Sequence, residues 1–447
     1  MKVKAIICAV LLCTFTLSAS GCNSADIGTD NLIRPPKTVG DEAEIEQLIA
    51  DTAGSEYTLK YPKSGNYRSA IVMKDLDLDG TDEAIAFYRT QNESKAEIHM
   101  LVMYSSNDEW KLSGNCIIEA TDVDCIDFAD VTGSGSLEIL SGYTTYNSSI
   151  NNLACHSYSN GKTEKLTVES SYSSFYCSDF DGDGISEAML LSLYTTENDA
   201  TANMLVYNKE RNCLYSKASV KMDPNITRYK NITVTKTEEN QNALIVDGCF
   251  ANEDTVTQVI YFNQKMSVLR NPLFKEKDKN ITQRSANILC TDINNDLIVE
   301  IPVVNKLPAT SDEDKSTVAD KINWNSFYIK DEILNHLTEQ IADYENGYSF
   351  TVPETWVDGT YTARLDKEKR SMSFFEWETD KLGQKLFEIR AFDLEQWDIG
   401  ESSDAYTLIL KNENTAYAFA DVNDESPLSI SEDNIKTSCS LMTVNNI

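Results

Sequence analysis

Asp75, Asp77, Asp79 and Glu83 occupy positions one, three, five and nine of a nine-residue stretch, with Gly80 at position six. Asp179, Asp181, Asp183, Gly184 and Glu187 repeat that spacing in full. A hard cation such as calcium takes six to eight oxygens, and alternate side chains of a tight loop can converge on one ion. Glycine at position six admits the sharp turn. Four carboxylates within nine residues repel one another unless a cation neutralises them, and that repulsion favours a metal over an empty Asp-rich turn. Asp292, Asn294, Asp296 and Glu300 keep four ligand-type side chains but carry Leu297 where the glycine stands, and they form a third candidate site. Asp130, Thr132, Ser134 and Glu138 keep two carboxylates, so this copy reads as a metal-free turn whose hydroxyls cap backbone amides. No helical pattern flanks any loop at EF-hand spacing.

Each loop lies between two short apolar runs, at 71–88, 126–143, 175–194 and 288–304. The leading aspartates, Asp75, Asp130, Asp179 and Asp292, are separated by 55, 49 and 113 residues. The last step is about double the others and predicts a copy near 235, where residues 231–246 read as strand, polar loop and strand without aspartates. A second marker, an apolar strand ending in an aromatic before a polar turn, recurs at 100–104, 153–158, 203–207 and 258–262, with 322–324 as a fifth. A period near 50 with four strands per unit predicts a mainly β chain, a β-propeller of about five four-stranded blades over residues 57–330, because stacked blades bury the two apolar faces that one blade cannot. Tyr57–Pro62 is available to complete the last blade and close the ring.

Asp-x-Asp-x-Asp-Gly-x-x-Glu repeated at blade spacing resembles the FG-GAP and VCBS repeat family. The resemblance spans about residues 57–330 and rests on the loop motif alone. It implies calcium-loop propeller blades in surface proteins, with the side chains of Asp75, Asp77, Asp79 and Glu83, and of Asp179, Asp181, Asp183 and Glu187, as ligands. The backbone carbonyls of Thr81 and Ile185 would complete those two sites.

Lys2 and Lys4 followed by the apolar run 5–17 have the shape of a secretory signal, too short to span a bilayer comfortably. The run ends in Ala19-Ser20-Gly21-Cys22, which resembles a bacterial lipobox. The resemblance implies cleavage after residue 21, lipid on Cys22, and attachment to the cell membrane on its extracytoplasmic face. Residues 22–42 are polar, contain Pro35-Pro36, and read as a tether. Cys116, Cys125, Cys155, Cys177, Cys213, Cys249, Cys290 and Cys439 form no Cys-x-x-Cys pair and lie mostly in apolar runs, as small hydrophobes do.

The segment 331–447 lacks Asp loops and reads as a separate small α+β domain. Ile333, Leu334, Leu337 and Ile341 have helical spacing and predict a bridging helix over 331–345. Strands are predicted at 348–356, 360–366, 371–378, 385–393, 405–411 and 416–421, and a closing helix at 431–442 capped by Ser431 or Asp433. The opening aromatic strand with Pro353 and Trp356 resembles PsbP-like domains of bacterial lipoproteins.

The 447-residue chain carries 71 acidic and 39 basic side chains, a formal net charge of −32, which argues against a nucleic-acid partner. Three histidines leave little scope for histidine-based metal or triad chemistry, and no HExxH or GxSxG motif occurs. The expected function is that of a non-enzymatic surface lipoprotein whose calcium-stabilised propeller presents a binding face to a protein or glycan. Two alternatives remain: a glycan- or peptide-processing enzyme with a carboxylate site in the propeller channel, and a structural part of a cell-envelope assembly.

Overall fold

The computed structural model describes residues 40–442, except 55, 92–95, 108, 146–149, 169, 197, 238–239, 399 and 401–404. The signal segment, Cys22 and most of the tether lie outside the described residues. None of the described helices is long and apolar enough to cross a membrane.

Five antiparallel sheets follow one another as propeller blades. The first holds Tyr57–Lys60, Ile71–Lys74, Glu83–Thr90, Glu97–Ser105 and Trp110–Glu119, and the second holds Asp122–Ala129, Glu138–Thr144, Asn151–Ser159, Lys162–Leu166 and Ser171–Tyr172. The third holds Ser174–Ser178, Glu187–Ser192, Thr201–Asn208 and Cys213–Lys221. The fourth holds Ile226–Lys236, Asn242–Phe250, Thr255–Asn263 and Val268–Arg270, which places the degenerate repeat copy where the spacing predicts it. The fifth holds Ile301–Lys306, Asp320–Tyr328, Ile333–Asp343 and Tyr348–Thr351, with Cys439–Leu441 added at its edge.

The middle strands of the first four sheets are largely buried on both faces, which is why they read as apolar runs. In the first sheet Ile85, Phe87, Met100 and Val102 pack with Val123, Ile126, Ile139 and Tyr143 of the second. Comparable cores join the second to the third, the third to the fourth and the fourth to the fifth. Inner segments of four blades, at Ser64–Asn66, Asp124–Asp127, Tyr172–Tyr176 and Ile232–Val234, line a central cavity of about 640 Å³.

The loops themselves keep the rotational order. The amide at loop position eight donates to the preceding blade three times: Leu137 to the Leu76 carbonyl (2.6 Å), Ser186 to the Asp130 carbonyl (3.0 Å), and Val299 to Thr235 Oγ1 (3.0 Å). Asn242 Nδ2 makes the remaining link, to the Asp179 carbonyl at 2.7 Å. The outer hairpin turn holds a left-handed residue in every blade: Asn107, Asn160, Asn212, Ser267 and Glu332.

Several expectations are corrected. Tyr57–Lys60 does not complete the last blade; it pairs with Phe87–Thr90 of its own sheet, in line with Ile71–Lys74. The outward face of that sheet is covered by a helix, Asp41–Ala53, that overlaps the end of the predicted tether. Ile45 and Ile49 of the helix pack on Ala84, Ala86, Tyr88, Leu101 and Met103, the residues that alternate with those facing the second blade. Asp41, Glu42 and Glu44 sit in its first turn, favourable to the helix dipole, and Gly54 ends it at φ 85°. Burial of the two isoleucines contributes roughly 1.5–3 kcal/mol each.

Residues 331–345 are not a helix. Ile333–Asp343 pairs along its length with Asp320–Tyr328, so the fifth blade crosses the expected 330/331 boundary. Hairpin pairing with the preceding strand overrides the local helical spacing, and polar residues of Ile333–Asp343 find partners on both sides: Trp324 Nε1 of the paired strand donates to Gln340 (2.9 Å), and Tyr361 donates to Glu339 (2.8 Å).

A sixth sheet follows, with Tyr361–Asp366, Ser371–Glu378, Lys381–Asp393, Thr415–Ala420 and Thr407–Lys411 in spatial order, close to the predicted strands. The helix Glu432–Ser438 is capped by Ser431, whose hydroxyl accepts from the Asn434 amide at 3.2 Å. Instead of standing apart, this sheet shares one core with the fifth blade, built on Phe350, Trp356, Phe374, Phe387 and Ile435. Trp356 is thus a core residue, its Nε1 donating to the Leu428 carbonyl at 3.0 Å.

A fully buried ion pair anchors the long segment between the fourth and fifth blades. Arg284 donates to Asp247 Oδ1 (2.9 Å), the Ile288 carbonyl (2.7 Å) and Thr257 Oγ1 (3.0 Å), and the Cys290 amide donates to Asp247 Oδ2 (2.7 Å). The eight cysteines of the described residues are free thiols.

Candidate metal centre

The Asp loops of the first three blades join Ile71–Lys74 to Glu83–Thr90, Asp122–Ala129 to Glu138–Thr144 and Ser174–Ser178 to Glu187–Ser192, and that of the fifth is closed by the bridge Thr291–Glu300 just before Ile301–Lys306, so the loops lie at one end of the propeller, together with the outer hairpin turns. Their backbones share one conformation. Positions four and six are left-handed at Leu78 and Gly80, Gly133 and Gly135, Gly182 and Gly184, and Asn295 and Leu297. The leading aspartate holds the turn: Asp75 accepts from the amides of Asp79 (3.1 Å) and Gly80 (2.9 Å), Asp130 from Ser134 and Gly135, Asp179 from Gly182 and Gly184, and Asp292 from Asn295 and Leu297. The glutamate at position nine reaches back to the loop start. Glu83, Glu138, Glu187 and Glu300 accept from the amides of Leu76 (2.9 Å), Val131 (2.9 Å), Phe180 (2.8 Å) and Ile293 (3.0 Å). Part of the Asp/Glu pattern is therefore structural, an Asx-type turn that the second loop, with only two carboxylates, shares with the others.

What distinguishes the loops is how their carboxylates converge. Ligand atoms of Asp179, Asp181, Asp183 and Glu187 all lie within 4.8 Å of one another, as do those of Asp75, Asp77 and Glu83. Asp79 stands outside the first cluster and accepts from the Thr81 amide at 2.7 Å; Asp183 accepts likewise from the Ile185 amide at 2.8 Å. The fifth-blade carboxylates Asp292, Asp296 and Glu300 do not form such a cluster, and Asn294 instead donates to Asp296 at 2.9 Å.

Burial and mutual repulsion strain these groups electrostatically. Burial, then the Asp181 charge, pushes the Glu187 carboxyl up to about 8; burial pushes Glu83 up to about 7, with Asp77 and Asp79 adding to the rise. Asp77 is raised by burial, then by Asp79 and Asp75. Oδ1 of Asp77 and Oε1 of Glu300 are buried without a hydrogen-bond partner among the described residues. In the second blade the equivalent demand is met internally: Thr132 Oγ1 donates to Glu138 Oε1 at 2.9 Å, in the place a cation would take. The donor set of the first and third loops, all oxygen and largely anionic, fits calcium.

Two features escape sequence reasoning. Lys217, from the outer strand of the third blade, pairs with Asp181. The third loop also borders a cavity of about 210 Å³ shared with Val131 and Thr132 of the second loop and with Tyr207, Tyr215 and Lys217. Neighbouring loops touch so closely that a Cβ on Gly133 would meet Ile185 Cδ1 at 2.6 Å.

No family model matches the chain, and no curated protein matches it. Among solved structures, Saccharomyces cerevisiae Sqt1 is 10% identical, with 83% of this chain and 99% of that chain covered and a TM-score of 0.32. A Bacillus licheniformis rhamnogalacturonan lyase is 12% identical, with 74% and 75% covered and a TM-score of 0.30. The Dos1 propeller is 10% identical, with 72% and 67% covered and a TM-score of 0.31. Likenesses this distant carry no argument about activity, and the propeller assignment stands on the sheet order, the inter-blade cores and the repeated loops.

Proposed function

We propose that this chain is a membrane-anchored, extracytoplasmic lipoprotein whose propeller is stabilised by calcium and serves as a binding module for a protein or glycan partner. The observation that carries the reading is the convergence of carboxylates at two blade loops, Asp75, Asp77 and Glu83 and Asp179, Asp181, Asp183 and Glu187. Three or four anionic ligands per loop set a demand for a divalent cation that the neighbouring second loop, with Thr132 in place of a carboxylate, lacks. Fixed calcium loops at one end of stacked blades hold that end rigid, as a recognition surface requires. Lipid on Cys22 and a tether to residue 40 would present it outside the membrane.

The enzyme alternative would place its carboxylates in the central cavity, where Asp124 and Asp127 lie. Both are engaged in the scaffold. Asp124 accepts from Tyr172 (2.7 Å) and Ser64 (3.2 Å), and Asp127 from the Phe128 amide (2.9 Å). That engagement supports binding over catalysis. The test is titration calorimetry of the mature chain with calcium, alongside fatty-acid labelling of the wild type and Cys22→Ser in the exporting cell. Two bound ions per chain and label lost only from Cys22→Ser are expected. No heat from calcium, or label that persists without Cys22, overturns the corresponding half of the proposal.

A further inference from the structure

The third loop contains a built-in competitor for its own cation. In the outer hairpin of the third blade the register skips one residue: Met204 pairs with Ala218 and Leu205 with Ser216, so Lys217 is the extra residue of a β-bulge. A bulge re-aims a side chain, and here it turns the lysine onto the carboxylates. Lys217 Nζ pairs with Asp181 Oδ2 and lies 5.0 Å from the centre of the Phe262 ring. Asp181 is nearly buried while 35% of the Lys217 side chain is exposed, so the lysine can swing into solvent while the aspartate stays.

The first blade carries the same bulge with a different residue. There Val102 pairs with Gly114 and Met103 with Leu112, which leaves Ser113 in the place of Lys217. Ser113 is neutral and shares a hydrogen bond with Thr163 at 2.7 Å. The equivalent bulge of the fifth blade holds Leu337. Of three matching positions, one bears a charge, and it faces the loop with the fullest set of carboxylates.

We propose that Lys217 is a tethered counter-ion that must withdraw from Asp181 before the third loop takes a divalent cation, so that the first and third loops fill at different concentrations. The inference rests on the calcium reading above and sets its regulation. The first loop is then the permanently filled structural site. The third responds to changing calcium, and its filling releases a positive side chain at the mouth of the cavity beside Tyr207 and Tyr215.

The bulge position supplies a reciprocal exchange as the test. In an Asp77→Asn background, which leaves the third loop to report, Lys217→Ser is expected to tighten calcium binding about ten-fold or more, the scale of one unit charge removed from a few ångströms away near a protein surface. In an Asp181→Asn background, Ser113→Lys is expected to weaken the first loop by a similar factor. Melting temperatures in chelator establish that each variant is folded. Unchanged or weaker third-loop affinity in Lys217→Ser overturns the counter-ion role while leaving the calcium reading intact. Absence of calcium binding in the wild type and in Lys217→Ser alike overturns both.

Discussion

Asp181→Asn and Asp130→Asn are the same chemical change at comparable loops, and they should have different consequences. Asp130 uses its carboxylate to accept the Ser134 and Gly135 amides at 3.0 and 2.9 Å, and its loop satisfies Glu138 through Thr132. Weakening those bonds costs about 1 kcal/mol, equally with calcium or with chelator. Asp181 belongs to a four-carboxylate cluster that includes Glu187, whose carboxyl is pushed up to about 8 by burial and by Asp181 itself. A cation present at a hundred times its dissociation constant stabilises the folded state by about 2.7 kcal/mol per site. In a chain of this size about 2 °C accompanies each kcal/mol, so each filled loop raises the melting temperature by about 5 °C. Loss of one charged ligand weakens affinity about ten-fold or more and removes about half of that increment. The assay is differential scanning calorimetry of wild type and both variants, in chelator and in millimolar calcium. Asp130→Asn should lower both melting temperatures in parallel, while Asp181→Asn should shrink the gap between them. A wild type that ignores chelator, or equal shrinkage in both variants, refutes the reasoning.

Three further outcomes follow from the same structure. In chelator, Glu83 and Glu187 bind protons more tightly folded, at about 7 and about 8, than unfolded near the ordinary 4.5, so their stabilisation is complete below about pH 4.5 and is lost as pH rises through 7 and 8; denaturant unfolding at pH 5 and pH 8.5 should show that decline, calcium should abolish it, and a rise with pH in chelator contradicts it. Removing one partner of the fully buried Arg284–Asp247 pair, by Asp247→Ala or Arg284→Met, should cost about 3–5 kcal/mol in urea unfolding, with the double variant less destabilised than the sum of the two, and strict additivity contradicts the pairing. Leu297→Gly should stabilise by about 1 kcal/mol, because Leu297 is 79% exposed and held at φ 71°, and a destabilised variant would show that this leucine packs in solution.

The repeat was legible because blade geometry imposes it locally. A strand buried on both faces must be apolar throughout, and a tight loop must begin with an acceptor and turn through left-handed residues. Both leave marks within about twenty residues, from Ile71 to Tyr88 and from Phe175 to Tyr194. The loop at Leu297 shows how far the pattern reaches: the backbone holds its left-handed conformation even without glycine. The helix Asp41–Ala53 also has local marks, with Ile45, Leu48 and Ile49 on one face between Gly40 and Gly54, but they are hidden in a short acidic stretch between the predicted tether and the first predicted blade strand. Residues 331–345 failed for the opposite reason. Four apolar residues over nine positions fit a helix, and only the partner strand, Asp320–Tyr328, decides otherwise. Lys217 and Arg284 were invisible in principle: each lies more than thirty residues from the carboxylate it meets, Asp181 and Asp247, and a bulge or an irregular segment brings it there.

Crystals grown with calcium and measured at long wavelength test the central claim most directly. Anomalous peaks should lie among Asp75, Asp77 and Glu83 and among Asp179, Asp181, Asp183 and Glu187, with none at Asp130, Thr132 and Glu138. Empty first and third loops at millimolar calcium, or a peak at the second loop as strong as at the others, would contradict it.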